Sequence, residues 1–229
     1  MNRLPFDFRG ERLEALGSGA LHWPRERLLV VSDLHLGKCA RLSATGGAAL
    51  PPYDAAETLG RLERDVAETE PAHVLCLGDS FDTAGIRAHL PPGERARISD
   101  LARGRTWTWI EGNHDPGDAG LGGETLAELV LGPLTFRHIA RPHPGGEVSG
   151  HYHPKARLAV RGRLISRPCF LIDAGRLILP AYGAYTGGLR TDSRTLSDLM
   201  ESGAHAILCG PKPARIPMPR AAPQARTGT

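Results

Sequence analysis

The sequence predicts an α/β sandwich in which two mixed sheets lie face to face with helices outside. Three observations predict the α/β class. Short unbroken apolar runs, Leu28–Val31 (LLVV) and His73–Leu77 (HVLCL), read as strands buried on both faces. Between them, Ala55, Leu59, Leu62 and Val66 recur at helical spacing, so strand, helix and strand form a crossover unit. Shorter alternating segments flank this unit and suit antiparallel strands.

The first strand sets the theme. Leu28–Val31 runs into Ser32, Asp33, Leu34 and His35. At the strand's end Asp33 and His35 alternate through Leu34 and so point the same way. A carboxylate and an imidazole at a strand's carboxyl end form half a metal site, at the edge where open α/β sheets bind ligands.

The other elements follow in order. Phe6 and Phe8 alternate, and Gly10 and the Gly17–Gly19 stretch supply turns, so residues 6–31 predict two or three antiparallel strands. Residues 37–52 are rich in Gly, Pro and Ser and read as a loop beside the site. Lys38 and Arg41 on it are candidate phosphate contacts. Asp54 and Glu57 fit a capping box at the start of the helix. His73–Leu77 ends in Gly78-Asp79. Glu94–Arg103 and Gly123–Leu131 are expected as short helices, and Trp107–Ile110 as a strand ending in Glu111-Gly112-Asn113-His114-Asp115. Leu134–Arg137 leads into His138, and Glu147–Ser149 into Gly150-His151-Tyr152-His153. Ala156–Val160, Cys169–Asp173 and Arg176–Leu179 suit antiparallel strands. Residues 181–189 form a Gly/Tyr loop, with Tyr185 a candidate substrate contact, and His205–Cys209 is a last strand. Residues 211–229 hold five prolines and no apolar pattern, which predicts a disordered tail after a single domain over 1–210.

Bulk composition excludes some classes. No apolar run approaches the roughly 18 residues of a membrane span, and the amino terminus lacks a secretion signal, so a cytoplasmic protein is expected. Cys39, Cys76, Cys169 and Cys209 form no CxxC pair and fit free thiols in a reducing compartment. The formal charge is +3, but the tail alone carries +4, from Lys212, Arg215, Arg220 and Arg226 with no acid, which leaves −1 for residues 1–210. A polyanion would have to find local charge, not a general field.

The strand ends together carry Asp33, His35, Asp79, Asn113, His114, His138, His151 and His153. Carboxylate, amide and imidazole without cysteine favour Mn, Fe or Zn at a catalytic site. There are too many ligands for one ion. Two ions about 3.5–4 Å apart, lowering the pKa of a bridging water for in-line attack on phosphorus, would use them all.

In combination, DLH, GDSF, GNHD, a strand-end His and GHYH resemble the five motifs of the calcineurin-like metallophosphoesterases. The resemblance implies a four-layer α/β/β/α sandwich. It implies that Asp33, His35 and His153 hold one divalent ion, that Asn113, His138 and His151 hold the other, and that Asp79 bridges. His114 would sit beside the scissile phosphate, with Asp115 orienting it. His138 is preferred to His143, which sits between two prolines, because His138 directly follows a strand. DLHLGK, LGDSF, GEVSGHYHPKAR and LPAYGAYTGG further resemble the bacterial ligase-associated DNA damage response endonucleases, the PdeM group. That likeness implies a manganese-dependent phosphodiesterase acting on DNA, with ligase or helicase repair proteins as partners and no membrane. One departure is Asp82, where nuclease relatives often carry a histidine. His114, His89 or weak activity would each account for it. A small-molecule phosphatase or cyclic-nucleotide phosphodiesterase, and a silent scaffold on the same fold, are the competing readings.

Overall fold

The computed structural model describes residues 2–38, 54–83, 90–115, 117, 120–142, 145–160 and 162–221. The first sheet contains β1 (Arg3–Phe8), β2 (Glu11–Leu16), β3 (Leu21–Trp23), β4 (Leu28–Val31), β5 (His73–Leu77), β6 (Thr106–Ile110) and β7 (Glu124–Leu126), in that spatial order. β1 to β4 form an antiparallel meander, and β4 to β7 run parallel. Helix α1 (Asp54–Thr69) makes the crossover from β4 to β5, and α2 (Pro92–Ala102) that from β5 to β6.

The second sheet runs in the order β15 (Ala214–Pro217), β14 (His205–Leu208), β12 (Arg163–Ile172), β13 (Arg176–Ile178), β10 (Glu147–Ser149), β9 (Leu134–Arg137) and β8 (Glu128–Leu131). β11 (Lys155–Val160) pairs with the first half of β12 in a hairpin. A short helix, α3 (Arg194–Leu199), precedes β14.

Alternation along the strands builds three apolar layers. Leu28 and Val30 of β4 and Leu75 and Leu77 of β5 face Phe136, Val148, Phe170 and Leu177 of the second sheet. Their neighbours Leu29, Val31, Val74 and Cys76 face the other way, onto Leu59, Leu62 and Val66 of α1 and Ile98 of α2. On the far side, Cys169 and Leu171 of β12 pack with Leu196 of α3. The result is the expected four-layer α/β/β/α sandwich, thin on its last layer. Truncating a fully buried residue such as Leu62 to alanine would cost about 2–5 kcal/mol.

Three expectations change. Gly123–Leu131 is not a helix: residues 124–126 join β6 and residues 128–131 join β9. Val130, expected to face inward, is 63% exposed. Residues 211–221 are not a disordered tail, because Ala214–Pro217 form the edge strand β15. Met218 donates its amide to the Ala204 carbonyl at 3.0 Å, so the N–H groups of even-numbered positions face β14. Pro213, Pro217 and Pro219 fall on odd positions and leave only an outward donor missing, as an edge strand tolerates. Residues 163–168 extend β12 well beyond the expected strand, as the partner of β11.

Candidate metal centre

Two parallel units, β4–β5–β6 in one sheet and β9–β10 in the other, end at the same crest. The loops leaving their carboxyl ends carry every expected ligand. Asp33 and His35 do not continue β4 as extended chain. Their φ angles are +53° and +45°, and Asp79, His151 and His153 are also left-handed at +47°, +70° and +46°. Two backbone bonds hold the first turn: the Asp33 amide donates to the Gly78 carbonyl at 3.1 Å, and the His35 amide to the Asp79 carbonyl at 3.0 Å. So Asp33 and His35 converge through a twisted loop, not through strand alternation. Such conformations cost of order 1–3 kcal/mol each and persist where the surroundings over-determine them.

One group gathers Asp33, His35 and His153, and a second gathers Asp79, His138 and His151, with ligand atoms in each group within 4.8 Å of one another. His153 Nε2 lies 3.0 Å from Asp33 Oδ1 and 3.4 Å from His35 Nε2. In the second group, His138 Nε2 lies 3.3 Å from Asp79 Oδ2, 3.3 Å from His151 Nδ1 and 3.0 Å from Asn113 Oδ1. Asn113 therefore joins the second group. The structure brings all seven residues together in two sets, with Asp79 in the second.

The residues fit a cation. Asp33 is fully buried, and its Oδ2 is satisfied by the Ser32 hydroxyl at 2.5 Å and the His151 amide at 3.0 Å. Among the described residues its Oδ1 meets only His153 Nε2, at 3.0 Å. A buried carboxylate oxygen left this way is costly unless a positive charge completes it. In the second group, His138 Nδ1 meets the Leu77 carbonyl at 3.0 Å. As the donor there, it leaves the Nε2 lone pair for the cluster.

Protonation follows the same design. Burial works to raise Asp79, but His138 and His114 outweigh it and bring its carboxyl down to about 2. Burial also works against the Asp33 carboxylate, and His153 and His138 hold it below the ordinary value. Burial pushes His35 down to about 4, so the ring is neutral and ready to ligate. His151 is lowered by burial and by the neighbouring His138. His138 itself is raised: burial opposes this, but Asp79 and Asp33 prevail.

The glycines of the motifs are demanded by crowding. A Cβ on Gly78, where φ is +80°, would stand 2.4 Å from the His138 ring. A Cβ on Gly150 would stand 1.8 Å from the Ser32 hydroxyl.

Asp115 differs from expectation. Its Oδ2 accepts the amides of Ser80 at 2.7 Å and Phe81 at 3.1 Å, and its Oδ1 accepts that of Gly112 at 3.2 Å. It braces the Asp79 loop against the Asn113 loop; its hydrogen bonds do not go to the His114 ring. Burial pushes it up to about 6, against the pull of these amides. The His114 side chain is 49% exposed, with Nε2 3.9 Å from Asp79 Oδ2 and its ring edge-on to His35 at 5.6 Å. It faces the open side of the site. Asp82 is buried and its amide donates to the Leu36 carbonyl.

Lys38 and Tyr185 meet beside the first group, where Lys38 Nζ donates to the Tyr185 carbonyl at 3.3 Å. Arg41, His89 and His143 lie outside the described residues. Sequence reasoning missed Ser32, whose hydroxyl orients Asp33, and Lys155, whose Nζ donates to the Thr186 carbonyl at 2.8 Å. A serine before an aspartate and a lysine after a proline are ordinary in any loop, so neither carried a signal.

No curated protein matches the chain in sequence. Among solved structures, the Pseudomonas putida nuclease MPE is 32% identical, covering 93% of this chain and 100% of that one, with a TM-score of 0.72. Yfce, a phosphoesterase from E. coli, is 13% identical over 84% of this chain and 99% of its own, with a TM-score of 0.43. The family model of the calcineurin-like phosphoesterases matches residues 26–194, a span that contains both ligand groups. The chain belongs to the calcineurin-like phosphoesterase family and is a metal-dependent phosphoesterase.

Proposed function

We propose that the protein is a two-metal phosphodiesterase that cuts DNA, using manganese, in the cytoplasm and in DNA repair beside ligase or helicase proteins. The observation that carries the two-ion reading is the pair of ligand groups at one crest, Asp33, His35 and His153 beside Asp79, His138 and His151. In this proposal Asp79 would be held in common by the two ions. Its backbone carbonyl holds the His35 loop, while its Oδ2 faces His138. Hard oxygen and imidazole donors without thiolate suit manganese. The likeness to a nuclease supports a nucleic-acid substrate, and the motif resemblance to ligase-associated endonucleases supports DNA and the repair role.

When bound, such ions lower the pKa of water and offset phosphoryl charge. The remaining work belongs to the chain. Ser32 and the His151 amide fix Asp33, the Leu77 carbonyl fixes the His138 tautomer, and Asp115 fixes the two loops. His114, exposed beside Asp79, donates to the phosphoryl group as charge builds on it. Asp82 is buried, so among the described residues His114 is the exposed imidazole that takes this role.

The test pairs metal analysis with DNA cleavage. The expected result is two manganese ions per chain and cleavage of an oligonucleotide. Asp79→Ala should lower cleavage by at least about a hundredfold and reduce the metal content. The near-neutral charge of residues 1–210 favours a second reading, a phosphodiesterase or phosphatase of small esters. Hydrolysis of bis-p-nitrophenyl phosphate with DNA left intact would select that reading and reject the nuclease.

A further inference from the structure

A cleft of about 540 Å³ opens beside His153, lined by Arg61, Lys155, Arg167 and the loop at Gly183–Thr186. Its cations are not equivalent. Arg61 is committed: it donates to the Tyr182 carbonyl at 3.0 Å and to Glu57 at 3.3 Å, and lies over the Tyr182 ring. Lys155 gives one N–H to Thr186 and keeps two more. Arg167 is exposed on β12 and has no ion pair among the described residues.

The loop is pinned while one ring stays open. The Ala184 amide donates to the Thr58 hydroxyl at 2.9 Å, the Thr186 hydroxyl donates to the Gly183 carbonyl at 3.1 Å, and Lys38 holds the Tyr185 carbonyl. Yet Tyr185 is 51% exposed, with φ at +57°. An exposed aromatic on a fixed backbone, next to uncommitted cations and leading to a metal-ligand histidine, has the parts of a single-strand platform.

We infer that this cleft is the path of an unpaired nucleic-acid strand leaving the metal centre, with Tyr185 stacked on a base beside the scissile phosphate and Arg167 and Lys155 on a neighbouring phosphate. The inference rests on the DNA reading above and names the form of DNA. The volume lies within the range of small-ligand sites, about 300–1,000 Å³, which takes a nucleotide or two but not a double helix. Because residues 1–210 sum to −1, these local cations are what a polyanion would meet.

The test measures binding of a fluorescein-labelled oligothymidylate and of a hairpin duplex by anisotropy, across a salt series, in chelator and in manganese. Arg167→Glu should weaken oligothymidylate binding roughly tenfold and flatten the log–log salt slope by about 0.7, the share of one single-strand phosphate. Arg167→Lys should keep the slope. Arg25→Glu, on the turn at the opposite end of β4, should leave both values at the wild-type level. Tyr185→Ala should lose roughly tenfold in affinity, and Tyr185→Phe should restore it. If Arg167→Glu keeps the wild-type slope while the wild type still cuts DNA, the cleft path is overturned and the nuclease stands. Equal losses on duplex and single strand would overturn the unpaired-strand assignment. No binding or cleavage of DNA by the wild type would overturn both.

Discussion

Asp115 crosses from the end of β6 to accept the Ser80 amide at 2.7 Å, tying the Asn113 loop to the Asp79 loop. The bond joins the two loops that carry the Asp79 carboxylate and the Asn113 amide. Asp115→Ala releases three amides at once. Manganese affinity should fall roughly 10–100-fold, the usual cost of losing a group that orients ligands, as measured by isothermal titration. Unchanged affinity would reduce Asp115 to a local turn residue.

Gly78→Ala places a methyl against the buried His138 ring and strains a left-handed backbone. Stability should drop by at least about 2 kcal/mol, with a thermal midpoint lower by roughly 4–8 °C. Gly104 is the control: its φ is +73°, and a Cβ there meets nothing within 4 Å. Gly104→Ala should cost only about 1 kcal/mol. Equal losses at the two positions would show that strain, not the ring, decides.

Removing metal should be felt through the whole fold. The buried Asp33 carboxylate, faced at Oδ1 by His153 Nε2 at 3.0 Å, is a place where a cation would add stability. Free manganese at about 100 times its Kd adds about 2.7 kcal/mol, which for a chain of this size is a rise of roughly 5–10 °C in thermal midpoint over chelator-treated protein. A midpoint indifferent to manganese would argue against a built site.

Glu14 tests the fold away from the site. It accepts Arg3 at 2.6 Å and meets His22 Nδ1 at 2.9 Å. Burial works to raise its carboxyl, but His22 and Arg3 win and hold it below the usual value. Folding therefore favours the charged form. The contribution is full above the unfolded pKa of 4.5 and is lost as pH falls through the lower folded value. Glu14→Gln should cost about 1 kcal/mol near neutrality, and the gap from wild type should shrink below about pH 4.5 in urea unfolding. A gap that grew on acidification would refute the assignment.

The buried strands were legible in the sequence, and so was the gathering of candidate ligands, because each of them follows an apolar run. The local route was not. Asp33 and His35 look like alternating strand residues, but their left-handed backbone is set by pairing with Gly78 and Asp79, forty-odd residues away. Leu126, Leu129 and Val130 have helical spacing, yet the segment is split between two sheets because free edges at β6 and β9 claim it. Prolines disguised β15, since only the alternation of outward N–H groups makes them harmless. The Asp115 brace was invisible for a related reason: its partners are backbone amides, which no residue type announces.

The residues of the crest have a consequence for timing. Asp33 needs Gly78, His138 needs Leu77, and His151 needs Asp33, so each is held in place by chain contributed from elsewhere. A nascent or half-assembled molecule holds none of these geometries and cannot gather its cations. Phosphoesterase activity thus arrives only with the finished sandwich, because the residues of the centre meet nowhere else along the chain.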